Sequence, residues 1–525
     1  MSSIELEQVN NQLIVQQGNN NKNESEKESM RESGILLPIA SLPSRYGIGC
    51  FSKEAYDFVN QLIAAGQKKW QILPLGPTGH GESADSPYQS YSTFAGNPYF
   101  IDLEALIGWG LLSYEECDAI DFGDDENVID YDKIYHGRDQ ILRLAFSRFS
   151  IDGNNEYTEF NRNNGYWLED YCLYMALKKH FGDLAWNEWE EPYRDRHPGA
   201  LQAIREELEP EIRFHRFEQY MFWKEWTGLK HYANENGIQI VGDIPIYVAF
   251  DSADTWARPQ LFQFTENNEP IAVAGCPPDG FSATGQVWNN PLYSWEYHKQ
   301  TEYSWWVQRM EYSLNLYDVV RIDHFRGFDE YYAIPYGDET AQYGHWEKGP
   351  GLEFFHTLQE KLGDMNIIAE DLGFLTESVK ELLRDTGYPG MKVIEFAFDG
   401  SEDSLYLPHK YDHNCVVYTG THDNDTVLGW YLTLNDHDRE FTKRYLNNTN
   451  TALDRIHWDF IRLAMASVAD LCVVPIQDYL GYGNEARINY PGSVGANWKW
   501  RLKKGQFTEL TAGDIWQMTK LYGRL

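Results

Sequence analysis

The chain is short of positive charge. Lys and Arg together number 44 against 80 Asp and Glu, a formal charge of −36 over 525 residues. Nucleic acids and anionic membrane surfaces attract the opposite balance, so both are excluded as partners. The acid excess itself reads as solubility. Long hydrophobic runs are missing as well: no stretch approaches the roughly eighteen apolar residues of a membrane-spanning helix, and no span is expected. Cysteine is sparse. Cys50, Cys117, Cys172, Cys276, Cys415 and Cys472 lie far apart, with no Cys-x-x-Cys pair and no His spacing of a zinc site. Several stand in apolar runs, as core thiols do, and a reducing cytoplasm is the compartment that fits. Residues 1 to about 30 lack large apolar groups and are rich in Asn, Gln, Glu and Ser. Their composition gives a disordered polar tail, too acidic for a transit peptide and without the apolar core of a secretory signal. No solenoid-type repeat occurs.

Aromatic residues, by contrast, are abundant, at 18 Trp, 35 Tyr and 26 Phe. Many stand beside Asn, Asp, Gly and Pro. Sugar rings stack their C–H faces on aromatic planes while their hydroxyls need fixed polar partners, but the count alone fits a large aromatic core equally well. Along the chain, Gly34–Ala40 reads as a first strand. Ser52 to Gly66 reads as a helix with Ala55, Phe58, Val59, Leu62 and Ile63 at helical spacing, and Trp70–Leu75 as a second strand. This is a βαβ unit, hence a parallel sheet. A polar loop follows from Gly76 to Pro98. Residues from about 100 to 235 break the rhythm and read as a helical insertion. A second insertion, about 255–312, holds a segment at 275–293 that either covers a cleft or is a static surface loop. Strands resume at Ile238–Tyr247, before Asp323, before Glu370, at Met391–Phe398, before His422 and at Leu471–Ile476. Together the eight candidates give an α/β chain: a (β/α)8 TIM barrel over residues 31–525 with large, mainly helical insertions.

Three of these short apolar runs deliver acid at the same end: Arg321-Ile322-Asp323, Ala369-Glu370-Asp371 and Thr421-His422-Asp423. The mouth at the C-terminal strand ends is where such a barrel keeps its chemistry. Retaining glycosidases need a nucleophilic carboxylate and a proton-donating carboxylic acid about 5–5.5 Å apart. Asp323, Glu370 and Asp423 supply three acids able to converge there. Arg321, on the same side of its strand as Asp323, is expected to keep that aspartate ionised and oriented. A glutamate donor needs its pKa raised by burial or negative neighbours. Asp243 also ends a strand, and whether it serves chemistry or architecture stays open.

From about Gly34 to the C-terminus the chain resembles the amylomaltases, 4-α-glucanotransferases (disproportionating enzymes) related to the α-amylase clan. The motifs that carry the likeness are Ser86-Pro87-Tyr88-Gln89-Ser90, Phe94-Ala95-Gly96-Asn97-Pro98, Gly242-Asp243-Ile244-Pro245, Pro277-Pro278-Asp279 with Trp288, Arg321 through Gly327, Ala369 through Gly373, Gly420 through Asn424, and Arg487-Ile488-Asn489 with Asn497-Trp498. The resemblance implies Asp323 as nucleophile, Glu370 as acid/base and Asp423 as the carboxylate that binds hydroxyls and stabilises the transition state. It also implies that Tyr88, Trp288, Arg321, Asp371, His422 and Asn497 line the subsites. The implied substrates are α-1,4-glucans and maltooligosaccharides, with transfer through a covalent glucosyl-enzyme and no metal or organic cofactor. No oligomeric state is legible.

Three other readings stay open on the residues alone. A hydrolase of the same clan would use identical acids in a wetter site. A metal-dependent lyase or isomerase also gathers carboxylates at a barrel mouth, although Arg321 beside Asp323 and the lack of a strand-end lysine speak against it. A glucan-binding protein without catalysis would be expected to have lost one of the three acids.

Overall fold

Short apolar runs buried on both faces account for the barrel strands, and their order accounts for the barrel. The computed structural model describes residues 31–81, 85–278, 282–373, 375–448 and 450–525. The tail reading for residues 1–30 and Asp279 lie outside these residues. In chain order the strands are β1 (Glu32–Leu36), β2 (Lys69–Gln71), β3 (Gln239–Pro245), β4 (Ala272–Cys276), β5 (Gln286–Pro291), β6 (Val319–Asp323), β7 (Glu330–Pro335), β8 (His345–Lys348), β9 (Ile367–Ala369), β10 (Gly390–Val393), β11 (Cys415–Tyr418) and β12 (Leu471–Pro475). Eight of them form one sheet in the order β10-β11-β12-β1-β2-β3-β6-β9, with every pairing parallel. Its two edges meet where the Ala369 N–H donates to the Pro389 carbonyl at 2.9 Å, nearly closing the barrel. These are the eight strands expected from the sequence.

Each strand divides its side chains between two apolar compartments. Leu36, Val241, Ile368, Met391, Val393, Val416, Tyr418 and Val473 fill the barrel interior. Ile35, Ile240, Val320, Ile322, Ile367, Val417, Cys472 and Val474 pack outward among the helices. The helix Lys53–Ala64 shows how local chemistry sets these outer elements. Ser52 caps it by accepting the Glu54 N–H, Gly66 turns the chain away at φ 70°, and Ala55, Phe58, Val59 and Leu62 face the core.

Between β2 and β3 the helices Tyr131–Arg148, Asn155–His180, Pro198–Glu207 and Glu209–Glu235 pack beside the barrel. The second insertion departs from a loop. Strands β4 and β5 join β7 and β8 in a separate antiparallel sheet, order β5-β4-β7-β8. β4 and β7 are largely buried while β5 and β8 are partly open to solvent, and Gly, Asn and Pro interrupt β4 and β5, so period-two patterning is weak where the sheet forms. Among the described residues no helix is long and apolar enough to cross a membrane. Cys50, Cys117, Cys172, Cys415 and Cys472 are buried free thiols.

Candidate active site

Strand β6 sets the first half of the site. Val320 and Ile322 point to the helices, so Arg321 and Asp323 point into the barrel with Val319. The parallel register places Asp243 of β3 opposite Arg321 and Pro245 opposite Asp323. The Arg321 guanidinium is therefore shared: Nη1 donates to both Asp243 oxygens at 2.7 Å, and Nη2 donates to Asp323 Oδ1 at 2.8 Å. Asp243 has no exposed side-chain surface and Arg321 only 3 %, whereas Asp323 keeps 30 % open to solvent. Burial raises the Asp323 carboxyl to about 6, opposed by Arg321 and reinforced by the charges of Asp243 and Asp423.

Glu370 follows β9, the neighbour of β6. Its Oε2 accepts the His324 N–H and its Oε1 the Leu372 N–H, each at 2.8 Å. His324 adopts a left-handed conformation, φ 56°, directly after Asp323, and this turn aims its amide at Glu370. Two amide bonds favour the carboxylate, yet burial first and the Asp323 charge second push Glu370 well above the usual glutamate range. One lone pair on each oxygen remains for a ligand. The two acids are thus separated as an acid–nucleophile pair requires: Glu370 holds its proton longer than Asp323. Rate should fall on the acid side as Asp323 gains a proton and on the basic side as Glu370 loses one. Both limbs should lie above the pKa ranges of free carboxyls and belong to the coupled pair. Glu370→Gln, assayed on a donor whose leaving group needs no proton, is expected to lose the basic limb, and a retained limb would assign it elsewhere.

The third acid comes from across the barrel. Asp423 follows β11 in a loop where the Asn424 side chain accepts the Thr421 N–H at 3.0 Å. Asn489 Nδ2 donates to Asp423 Oδ1 at 2.6 Å, and Arg487 donates to its carbonyl at 2.8 Å. His422 Nε2 lies 3.4 Å from Asp423 Oδ2 and 2.8 Å from the Tyr88 hydroxyl. That hydroxyl donates in turn to Asp243 Oδ2 at 2.6 Å. The charged acceptor takes the Tyr88 proton, which assigns a donating N–H to His422 Nε2. A continuous path of polar contacts therefore runs Asp323–Arg321–Asp243–Tyr88–His422–Asp423. Tyr88→Phe cuts it in the middle. A hydrogen bond to a charged group is worth about 1.5–3 kcal/mol, so kcat/KM is expected to drop roughly 10- to 100-fold without loss of folded protein. An unchanged rate would make the hydroxyl a bystander.

Aromatic planes surround these groups. Trp288, carried on β5, meets the His324 ring edge-on at 4.8 Å, and the Trp498 ring lies 5.8 Å from Tyr88 and 5.9 Å from His422.

The residues now placed match known proteins along almost the whole chain. A family model described as 4-alpha-glucanotransferase matches residues 37–508. A 4-alpha-glucanotransferase of Clostridium butyricum is 47 % identical over 490 residues, 93 % of this chain and all of that one. One of Thermus thermophilus is 46 % identical over 507 residues, 95 % of this chain and all of that one. The chain belongs to the 4-alpha-glucanotransferase family. It is an enzyme with that family's transferase activity. A solved structure titled as amylomaltase from Streptococcus agalactiae in complex with acarbose superposes with a TM-score of 0.91 at 40 % identity, covering 94 % of this chain and 99 % of that one.

Two expected subsite residues of this glucanotransferase are engaged within the protein. Asn497 is buried, accepts the Tyr490 N–H at 2.9 Å and donates to the Ser493 carbonyl at 2.8 Å, so it holds its own loop. The next residue, Trp498, is the one turned towards Tyr88 and His422, through a left-handed backbone at φ 66°. Asp371 is buried, and its Oδ1 accepts the Met391 N–H at 2.6 Å. It presses on Gly390, where a Cβ would come within 2.7 Å of the carboxylate. Asp243, Asn489 and Arg487 were visible as residues of motifs, but no role could be read for them because their partners lie on distant segments.

Proposed function

We propose that this glucanotransferase moves α-1,4-glucan segments between maltodextrins by two displacements on Asp323. Arg321 holds Oδ1 of that carboxylate, which leaves Oδ2 for the anomeric carbon. As the C1–Oδ2 bond forms and the C1–O4 bond breaks, the Glu370 proton passes to O4, and the leaving chain departs with a new non-reducing end. The 4-hydroxyl of an acceptor glucan then gives its proton to the Glu370 carboxylate while its oxygen attacks C1 and releases Asp323. Two inversions restore the α-configuration. Asp423, fixed by Asn489 and His422, is the acceptor for two sugar hydroxyls that bond more strongly as the ring flattens in the transition state. Trp288, Tyr88 and Trp498 offer planes for sugar faces, and Arg321, His422, Asp371 and Asn497 keep the subsite walls in position.

The polar path joining Asp323 to Asp423 through Arg321 carries this reading, because it fixes both carboxylates in one frame before substrate arrives. No metal ion enters any step. Five buried free thiols support a cytoplasmic setting. Incubation with pure maltotriose tests the transfer step. Glucose together with maltotetraose and longer chains is the expected pattern, and it should persist with chelator. Glucose and maltose with nothing longer would make water the acceptor and overturn transfer.

A further inference from the structure

One cluster of ligating side chains has no part in the chemistry above. His80 lies in the loop between β2 and Tyr88, and its Nε2 is 3.0 Å from Oδ1 of Asp132, 52 residues away. His136 Nε2 is 3.8 Å from the same oxygen. Asp132 and His136 are one turn apart in the helix Tyr131–Arg148 and share a face. All the ligand atoms lie within 4.8 Å of one another. Around a tetrahedral zinc with bonds of about 2.0–2.1 Å, ligand atoms sit roughly 3.3–3.4 Å apart, between the two separations seen here. The rings are also held before any ion arrives. His80 stacks on Tyr135 at 4.1 Å and 11°, and His136 meets the same ring edge-on at 5.1 Å.

A second cluster, Glu191, Asp195 and His197, is a poorer candidate. It offers a single imidazole, and its Asp195 carboxylate already accepts from Arg194 at 2.8 and 3.1 Å and from Asn268 at 3.0 Å.

We propose that His80, Asp132 and His136 form a binding site for a borderline transition-metal cation, with zinc the best fit. Two imidazoles and a carboxylate suit such an ion, and the exposure of all three side chains leaves a fourth position to water. The site ties two segments that flank the cleft. The loop of His80 continues to Tyr88, and Tyr131, the residue before Asp132, donates its hydroxyl to the Trp498 carbonyl at 2.9 Å. The ion thus acts as a clasp on the cleft wall and takes no part in bond making.

Calorimetric titration of the chelator-stripped enzyme with zinc chloride near neutral pH tests this. One equivalent is expected to bind the wild type. His80→Ala and His136→Ala, both at exposed positions, are each expected to weaken that binding roughly tenfold or more, and His197→Ala to leave it unchanged. Wild-type binding retained in both the His80 and His136 variants would overturn the site, as would no binding by the wild type up to about 1 mM zinc.

Discussion

Asp323→Asn is expected to lower disproportionation of maltotriose by roughly 10⁴- to 10⁶-fold, the scale on which enzymes lose rate when a nucleophile is removed. The substitution keeps the shape of the side chain and an oxygen for Arg321 Nη2, which now lies 2.8 Å from Asp323 Oδ1. Folding should therefore be preserved, and thermal unfolding should stay near that of the wild type. Without a carboxylate no ester to C1 forms, and the remaining acid can only assist attack by water or acceptor. Maltodextrin binding, followed by quenching of tryptophan fluorescence, should survive, because Trp288 and Trp498 are untouched. A variant that keeps more than about one hundredth of the wild-type rate would remove Asp323 from the nucleophile's role.

Arg321→Met is expected to fail differently, by destabilising the fold as well as the reaction. Its partner Asp243 is fully buried, and after substitution the Tyr88 hydroxyl is the donor left on that carboxylate among the described residues. Removing one member of a buried ion pair costs about 3–5 kcal/mol, because the other charge is left uncompensated in a low dielectric. Denaturant unfolding should show a loss of this order. Adding Asp243→Asn to Arg321→Met removes the stranded charge and should recover much of the stability. It should not recover activity, since Asp323 would still lack its guanidinium and the path to Tyr88 would end at a neutral amide. Full recovery of transfer in the double variant would show that Arg321 acts only as architecture. A single variant as stable as the wild type would show that the Arg321–Asp243 pair does not hold the fold together.

The barrel was legible because each of its strands is a short apolar run bounded by turn residues, and three of them end in acid. That pattern needs no knowledge of what the strands pair with. Where the outcome depended on a distant partner, the sequence was silent or incomplete. Asp243 looked like any strand-end aspartate until the β3–β6 register set it against Arg321, 78 residues away. That same register explains why one guanidinium serves both Asp243 and Asp323. Asn497 and Trp498 stand side by side in one motif, and only the turn of the backbone shows which of them faces His422. The antiparallel sheet of β4, β5, β7 and β8 was missed since Gly, Asn and Pro interrupt β4 and β5 and β8 is a short polar run, which leaves no clean alternation. His80 and the pair Asp132 and His136 carry no recognisable spacing, because the chain brings them together only after the helix Tyr131–Arg148 has packed by the β2 loop.

Trapping the intermediate tests the chemistry most directly. In Glu370→Gln the acid/base is gone, yet α-maltosyl fluoride can still transfer its sugar to a nucleophile because fluoride leaves without a proton. Release of that sugar needs the base, so the ester should accumulate. Peptide mass spectrometry of the quenched variant is expected to find one maltosyl unit on the peptide containing Asp323. Turnover of the donor with no adduct, or an adduct on a different carboxylate, would contradict double displacement on Asp323.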